Sequence, residues 1–372
     1  MDGTDVAAGP MAWGTEIEPP KVSLVSTLGI CNGGRLSGEF ELKAQIRVTH
    51  FQRKRPPSFF SVENLFETIR SALPEDIRVC VCLNSFASKG LWRRLYDLLR
   101  TRNYQGAVNH VTGDVHYLTY LLDPERTVLT ILDCVTLEKL SGLKRWVFWF
   151  LWYWLPEKRC ASITVISQST KKELLRYLDC NPNKITVIHC SVSDEFSSKE
   201  KVFNMKCPRI LQVGTTPNKN ILRVAESLNG LPCRLSIIGP ISADQQAALQ
   251  RYAIDYENHV GLSKSEVVAQ YEQSDLVMFV SLYEGFGLPI VEANAVGRPV
   301  ITSRLYSMPE VGGEAACYVD PYNVCEIRSA VERLVQDPIY RNDLVAKGYH
   351  NVERFRPTAI AAQYAALYRS LV

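Results

Sequence analysis

The chain of 372 residues is 46% hydrophobic and 22% charged with a net charge of +3, a composition that excludes a disordered or fibrous chain and leaves room for two folded cores. Its 11 cysteines are odd in number and form no C-x-x-C pair or His/Cys metal spacing, which excludes a disulfide scaffold or zinc module and points to reduced thiols in a cytoplasmic setting. Residues 44–160 hold 17 Lys plus Arg against 11 Asp plus Glu, a net of +6, so the remainder is −3. Without a nucleic-acid motif, that basic first half suits an anionic acceptor or a membrane surface.

Residues 1–20 carry four acids and no Lys or Arg, unlike the basic start and apolar run of a signal peptide, and residues 1–44 are expected to form a loose or irregular extension. A first domain is expected over residues 45–198. Its strands are placed at Ile46–Phe51, Ile77–Leu83, near residues 107–110 and at residues 127–132, with helices over residues 58–73 and 91–99. Such alternation predicts a parallel α/β sheet, in which ligands lie at the carboxyl ends of the strands. His110, Asp114 and His116 fall where a strand would end, so each is a candidate to reach a bound ligand, although a lone histidine is more often structural. Cys317 and Cys325 read as buried small apolar residues.

Residues 144–155 contain ten consecutive apolar, mostly aromatic residues flanked by Lys144, Arg145, Lys158 and Arg159. Ten are too few to cross a bilayer. Two readings stay open: a core helix, or a peripheral membrane contact through Trp146, Phe148, Trp149, Phe150, Trp152 and Trp154. A strand with a serine-capped helix follows from Ala161, then a strand over residues 184–190 and a linker near residues 191–201. Arg209–Gly214 opens a second domain, expected over residues 199–355, and further strand ends fall at Gly239 and at residues 259–261. Residues 356–372 form a last helix.

The most informative stretch is residues 281–300. Asp275–Val280 reads as a buried strand, Gly285 and Gly287 as a turn, and Pro289 as a first-turn helical residue. Glycines that let backbone approach a ligand, followed by the N–H groups of a helix start, make an anion cradle. Glu292 lies about one turn into the helix and points back toward the bound group. Next to a phosphate, it makes more sense accepting hydrogen bonds from a diol such as a ribose. Glu284 would face the other side of the phosphate.

Glu284 and Glu292, with seven residues between them inside EGFGLPIVEA and followed by GRPVITS and Pro309-Glu310-Val311, resemble the E-x7-E motif of retaining glycosyltransferases of family 4, the group 1 type. The resemblance covers about residues 46–372, most closely after Arg209. It implies a GT-B fold: two Rossmann-like domains with parallel sheets facing across a cleft, the last helix crossing back to the first domain. It also implies transfer of a sugar from a nucleoside-diphosphate-sugar donor to a hydroxyl of a glycan or lipid-linked acceptor, with retention. Thr215–Asn220 matches the family's phosphate-contacting turn. The donor is then expected to meet Gly214, Thr215, Lys219, Asn220, Val260, Ser281, Glu284, Gly285, Phe286, Gly287, Leu288 and Glu292. The catalytic candidates are Glu284, Lys219, Asp114 and His110.

Three positions depart from the family pattern. Leu132 stands where the family's Thr-Ile-His-Asp has histidine, Arg55–Phe60 replaces a glycine-rich loop, and Thr215 replaces an arginine, leaving Lys219 as the main cation for the diphosphate. No Asp-x-Asp occurs, so no metal or other cofactor is expected. Alternatives are a catalytically inactive nucleotide-sugar-binding or membrane-docking homologue, or a GT-B phosphorylase or epimerase. A glycoside hydrolase would need one carboxyl with a raised pKa, whereas an acid at a helix N-terminus should be lowered.

Overall fold

The computed structural model describes residues 45–54, 61–86 and 90–372. The extension over residues 1–44 and the Arg55–Phe60 loop lie outside the described residues.

Twelve strands among the described residues form two parallel sheets. The first contains β1 (Ile46–Gln52), β2 (Ile77–Leu83), β3 (Val108–Thr112), β4 (Thr127–Ile131), β5 (Ser162–Val165) and β6 (Ile185–Val187), in the order β2-β1-β3-β4-β5-β6. The second contains β7 (Arg209–Val213), β8 (Arg234–Ile238), β9 (Tyr256–His259), β10 (Leu276–Phe279), β11 (Val300–Ser303) and β12 (Cys317–Val319), in the order β12-β11-β10-β7-β8-β9. Every residue of β3, β4, β5, β10 and β11 is buried, as expected for branched runs covered by helices on both faces. In both sheets the strand order reverses near the middle, and the clefts at these switch points open at the carboxyl ends. The fold is the two-domain GT-B arrangement.

The helix Pro357–Arg369 packs on β1 and on the helix Ser61–Ser71 of the first sheet. Tyr364 and Tyr368 from this helix are buried there, and Arg369 pairs with Asp76 at 2.8 Å. This contact explains His110. It is fully buried, its Nδ1 lies 2.7 Å from the Tyr368 hydroxyl and its Nε2 lies 2.7 Å from Thr130 Oγ1. His50 Nε2 meets the same Tyr368 hydroxyl at 3.0 Å. β3 runs two residues past His110, so this ring sits inside the sheet, under the last helix, and away from the strand ends where the sequence placed it. Burial lowers its pKa to about 3 and keeps it neutral.

The aromatic segment is one continuous helix, Gly142–Trp149 passing through a π-helical turn at Phe150–Trp154 into Leu155–Lys158. Trp146, Phe150 and Trp154 stack in a row at ring separations of 5.8 and 5.0 Å. Trp146 is exposed, and Phe148, Trp149, Phe150, Trp152 and Trp154 are half-buried. Cys325 is exposed rather than buried, because it lies on the outer side of the helix Val324–Gln336. No helix among the described residues is long and apolar enough to cross a membrane.

Candidate active site

β10 delivers the chain at the cleft, and Gly287, with φ of +108°, turns it into the helix Leu288–Val296 with Pro289 in the first turn. The connecting loop is held by its carbonyls. The Ser307 hydroxyl lies 2.9 Å from the Glu284 carbonyl and 2.7 Å from that of Phe286, and Ser167 Oγ donates to the Gly285 carbonyl at 2.8 Å. The N–H groups of Gly285, Phe286 and Gly287 have no acceptor among the described residues. A loop with its carbonyls occupied and its amides unused is suited to an anion.

The two glycines serve different ends. Gly287 needs its positive φ. A Cβ on Gly285 would come within 2.8 Å of the Leu132 carbonyl, so glycine at 285 admits the opposite domain as well as any ligand. Leu132 therefore lies directly across the cleft from the loop.

Lys219 comes from the turn after β7. Gly214 makes room for it, since a Cβ there would lie 2.9 Å from Lys219 Cε. Lys219 Nζ donates to Glu284 Oε1 at 2.6 Å and stands 4.4 Å from the centre of the Phe279 ring. Asn218 joins the same carboxylate at 3.2 Å and donates to the Tyr283 carbonyl at 2.9 Å. The turn and the loop are thus one unit, and Lys219 and Glu284 meet as an ion pair.

Glu292 lies in the second turn of its helix, and the Tyr271 hydroxyl donates to its Oε2 at 2.5 Å. Burial pushes its carboxyl above the usual range, against the pull of Tyr271, Lys219 and Lys264. The expected lowering by the helix N-terminus does not hold, because the dipole acts within the first turn and burial outweighs it. One requirement of a glycoside hydrolase is thereby met. The other carboxylate, Glu284, is engaged by Lys219 and Asn218 and is not placed as the free partner that such a hydrolase needs.

Of the remaining sequence candidates, Thr215 Oγ1 donates to the Pro240 carbonyl at 2.6 Å, Val260 is 61% exposed at the end of β9, and Leu288 is half-buried at the helix start. Asn220 is buried and donates to the carbonyls of Val280 and Pro321, so its side chain shapes the turn. Ser281 is fully buried. The Phe286 ring turns away from the loop's amides and packs on His189 and Phe355. Asp114, in the loop after β3, is held by Arg53 at 2.9 Å and is close enough to Asp133 to interact electrostatically. His116 is buried with Nδ1 2.7 Å from the Trp152 carbonyl, so it too stays out of the cleft.

Several cleft residues carried no role in the sequence reading. Glu310 accepts from the Gln168 N–H with both oxygens at 2.9 Å, and its Oε1 lies 2.8 Å from His189 Nε2. Though burial opposes it, these partners hold the Glu310 carboxyl below its usual range. The Tyr283 hydroxyl donates to Glu173 Oε2 at 2.9 Å. Glu173 is pushed up to about 7, first by burial and then by neighbouring Glu138 and Asp133. Glu310 was visible only as part of the Pro309-Glu310-Val311 string, and Ser167 only as a helix cap.

Residues 193–351 match the family model "Glycosyl transferases group 1". The chain is 28% identical over 226 residues to the serotype-specific mannosyltransferase WbdA of Escherichia coli, covering 53% of this chain and 27% of that protein. It is 38% identical over 116 residues to the MMP alpha-(1->4)-mannosyltransferase of Mycolicibacterium hassiacum, covering 30% of this chain and 28% of that protein. The matches thus span about a quarter of the length of these relatives. In structure it resembles Anabaena Alr3699/HepE in complex with UDP and glucose, with a TM-score of 0.73 at 13% identity over 88% of this chain and 100% of that one.

Proposed function

We propose, from the match of residues 193–351 to the group 1 glycosyl transferases, that the chain transfers a hexosyl unit from a nucleoside diphosphate sugar to a hydroxyl of a glycan or lipid-linked acceptor, with retention and without a metal. Mannose is the first candidate sugar, because WbdA and the M. hassiacum relative are mannosyltransferases. The observation that carries the reading is the pairing of unused amides at Gly285–Gly287 with Lys219 beside them.

The departing group is a nucleoside diphosphate, and stabilising its growing negative charge is the largest electrostatic task. Lys219 and the loop amides supply that stabilisation. As a diphosphate draws Lys219 away, Glu284 is freed to accept hydrogen bonds from sugar hydroxyls and to face positive charge at the anomeric carbon. Glu292 holds the ribose diol, its Oε2 already oriented by Tyr271. The contacts from Ser167, Gln168 and Tyr283 that bridge the cleft keep water from the reacting carbon.

Thermal unfolding with saturating UDP, GDP and ADP tests the donor site. At 100 times its dissociation constant a ligand adds about 2.7 kcal/mol, roughly 5–10 °C for domains of this size. A shift by one nucleotide, followed by transfer from its sugar derivatives, supports the reading; no shift with any nucleotide overturns it. Leu132, whose carbonyl faces Gly285 and whose side chain packs on the core where the family pattern has a polar histidine, favours a second reading as a donor-binding protein without turnover. Nucleotide binding with no transfer to any acceptor and no hydrolysis would establish that one.

A further inference from the structure

The helix Leu91–Thr101 is mounted with its apolar side outward. Leu91, Trp92, Leu95, Tyr96 and Leu99 are 76%, 80%, 40%, 54% and 56% exposed, and only Asp97 and Thr101 are buried. Spacings of one, four, five and eight residues place these five side chains on one stripe. A surface helix normally turns such a stripe to the core. Here polar groups anchor it instead: Asp97 Oδ1 accepts from the Ser85 N–H at 2.8 Å, and Arg100 donates to the Leu83 carbonyl at 2.8 Å.

We propose that this helix docks the protein on an anionic lipid bilayer, with the Leu91–Leu99 stripe in the interface and the neighbouring arginines on lipid phosphates. Arg93, Arg94, Arg100 and Arg102 lie on or directly after the helix, while its one acid, Asp97, is 1% exposed. The guanidinium groups lie along aromatic rings, Arg94 at 4.6 Å from the centre of Trp152, Arg100 at 5.1 Å from Tyr104 and Arg93 at 5.6 Å from Phe86. An apolar stripe rimmed by cations and aromatic rings matches the chemistry of a headgroup boundary. A two-fold contact between copies of the chain would instead bring eight arginines together. Through Arg94 and Trp152 the surface continues onto the aromatic helix, where Leu143 and Trp146 are 75% and 58% exposed. On this proposal the membrane contact, one of two readings open for the six aromatic residues, keeps the exposed Trp146 and the Trp152 ring beside Arg94 and moves chiefly to a helix that the sequence pattern places in the sheet's covering layer.

The test uses the full chain with vesicles of phosphatidylcholine alone or mixed with phosphatidylglycerol, and neither donor nor acceptor, so its outcome is independent of glycosyl transfer. The wild-type chain should sediment at least tenfold more strongly with the mixed vesicles and be released by high salt. Trp92→Glu/Leu95→Glu should weaken that binding at least tenfold, and Arg93→Gln/Arg102→Gln should remove the preference for phosphatidylglycerol. Circular dichroism and the unfolding midpoint check that each variant folds. Should the first fail to, brominated lipid in the bilayer should quench wild-type emission more than that of Trp92→Phe. Equal binding of wild type and a folded Trp92→Glu/Leu95→Glu variant, no vesicle binding at all, or equal quenching overturns the proposal. So does a wild-type dimer that this variant makes monomeric without any vesicle binding, which would assign the stripe to a second copy.

Discussion

Lys219 and Glu284 satisfy each other at 2.6 Å, so replacing one or the other should move nucleotide binding in opposite directions. Lys219→Ala removes the cation that a diphosphate needs, and losing a charged hydrogen bond of about 1.5–3 kcal/mol should weaken the nucleotide roughly 10–150-fold. Glu284→Gln removes a competitor for Lys219 and a nearby negative charge. It should bind the nucleotide as tightly as wild type or more so, while transfer falls about 100-fold or more. Calorimetric titration beside initial rates separates the two effects. If Glu284→Gln weakened the nucleotide as Lys219→Ala does, Glu284 would belong on the phosphate side and its sugar role would fall. The pair itself is long-range, and no local pattern announces it. The E-x7-E string showed that Glu284 mattered, but its partner needed the fold.

Between β10 and the helix Leu288–Val296, two glycines invite contrasting substitutions. At Gly287 an added Cβ keeps φ at +108°, a conformation that costs an L-residue about 1–2 kcal/mol, so Gly287→Ala should lower the unfolding midpoint by a few degrees. Gly285 has no such φ, and its Cβ meets the Leu132 carbonyl across the cleft. Gly285→Ala should therefore reduce kcat/KM about tenfold or more with a smaller change in midpoint. Equal loss of stability in both would dissolve the distinction. This loop shows what a sequence discloses. The branched run of β10, the glycines and Pro289 are local signals, and most strand positions in both sheets followed from the same periodicity. That Gly285 faces the other domain, that Ser167 and Ser307 take up the loop's carbonyls, and that Glu310 caps the Gln168 amide are contacts between residues 21 to 153 positions apart, beyond any local pattern. His110 was misplaced for a related reason, since its partner Tyr368 is 258 residues away.

Across the whole molecule, the buried histidines tie stability to pH. His110 is held to about 3 and His50 well below its ordinary value, both first by burial. The folded protein therefore refuses protons that the unfolded chain accepts below about pH 6.5. Their contribution is complete above that pH and is lost progressively toward pH 3. Glu173, raised to about 7, works in the opposite sense, adding stability at low pH that fades as pH climbs through 7. The diagnostic is therefore a difference: the stability cost of His110→Asn, measured by denaturant unfolding, should be largest near neutrality and shrink on acidification below about pH 6.5. A cost that stays constant from pH 8 to pH 4 would mean that His110 is not the group excluded from protonation. Behind this network stands the helix Pro357–Arg369, whose Tyr364 and Tyr368 close a sheet built from residues 46–187. On the ribosome, the sheet translated first is thus the one completed last. At 5–20 residues per second, its His50 and Phe66 side wait roughly 10–30 s for the tyrosines after the domain has emerged. A premature stop just before Pro357 would leave the second sheet whole and deprive the first of its cover.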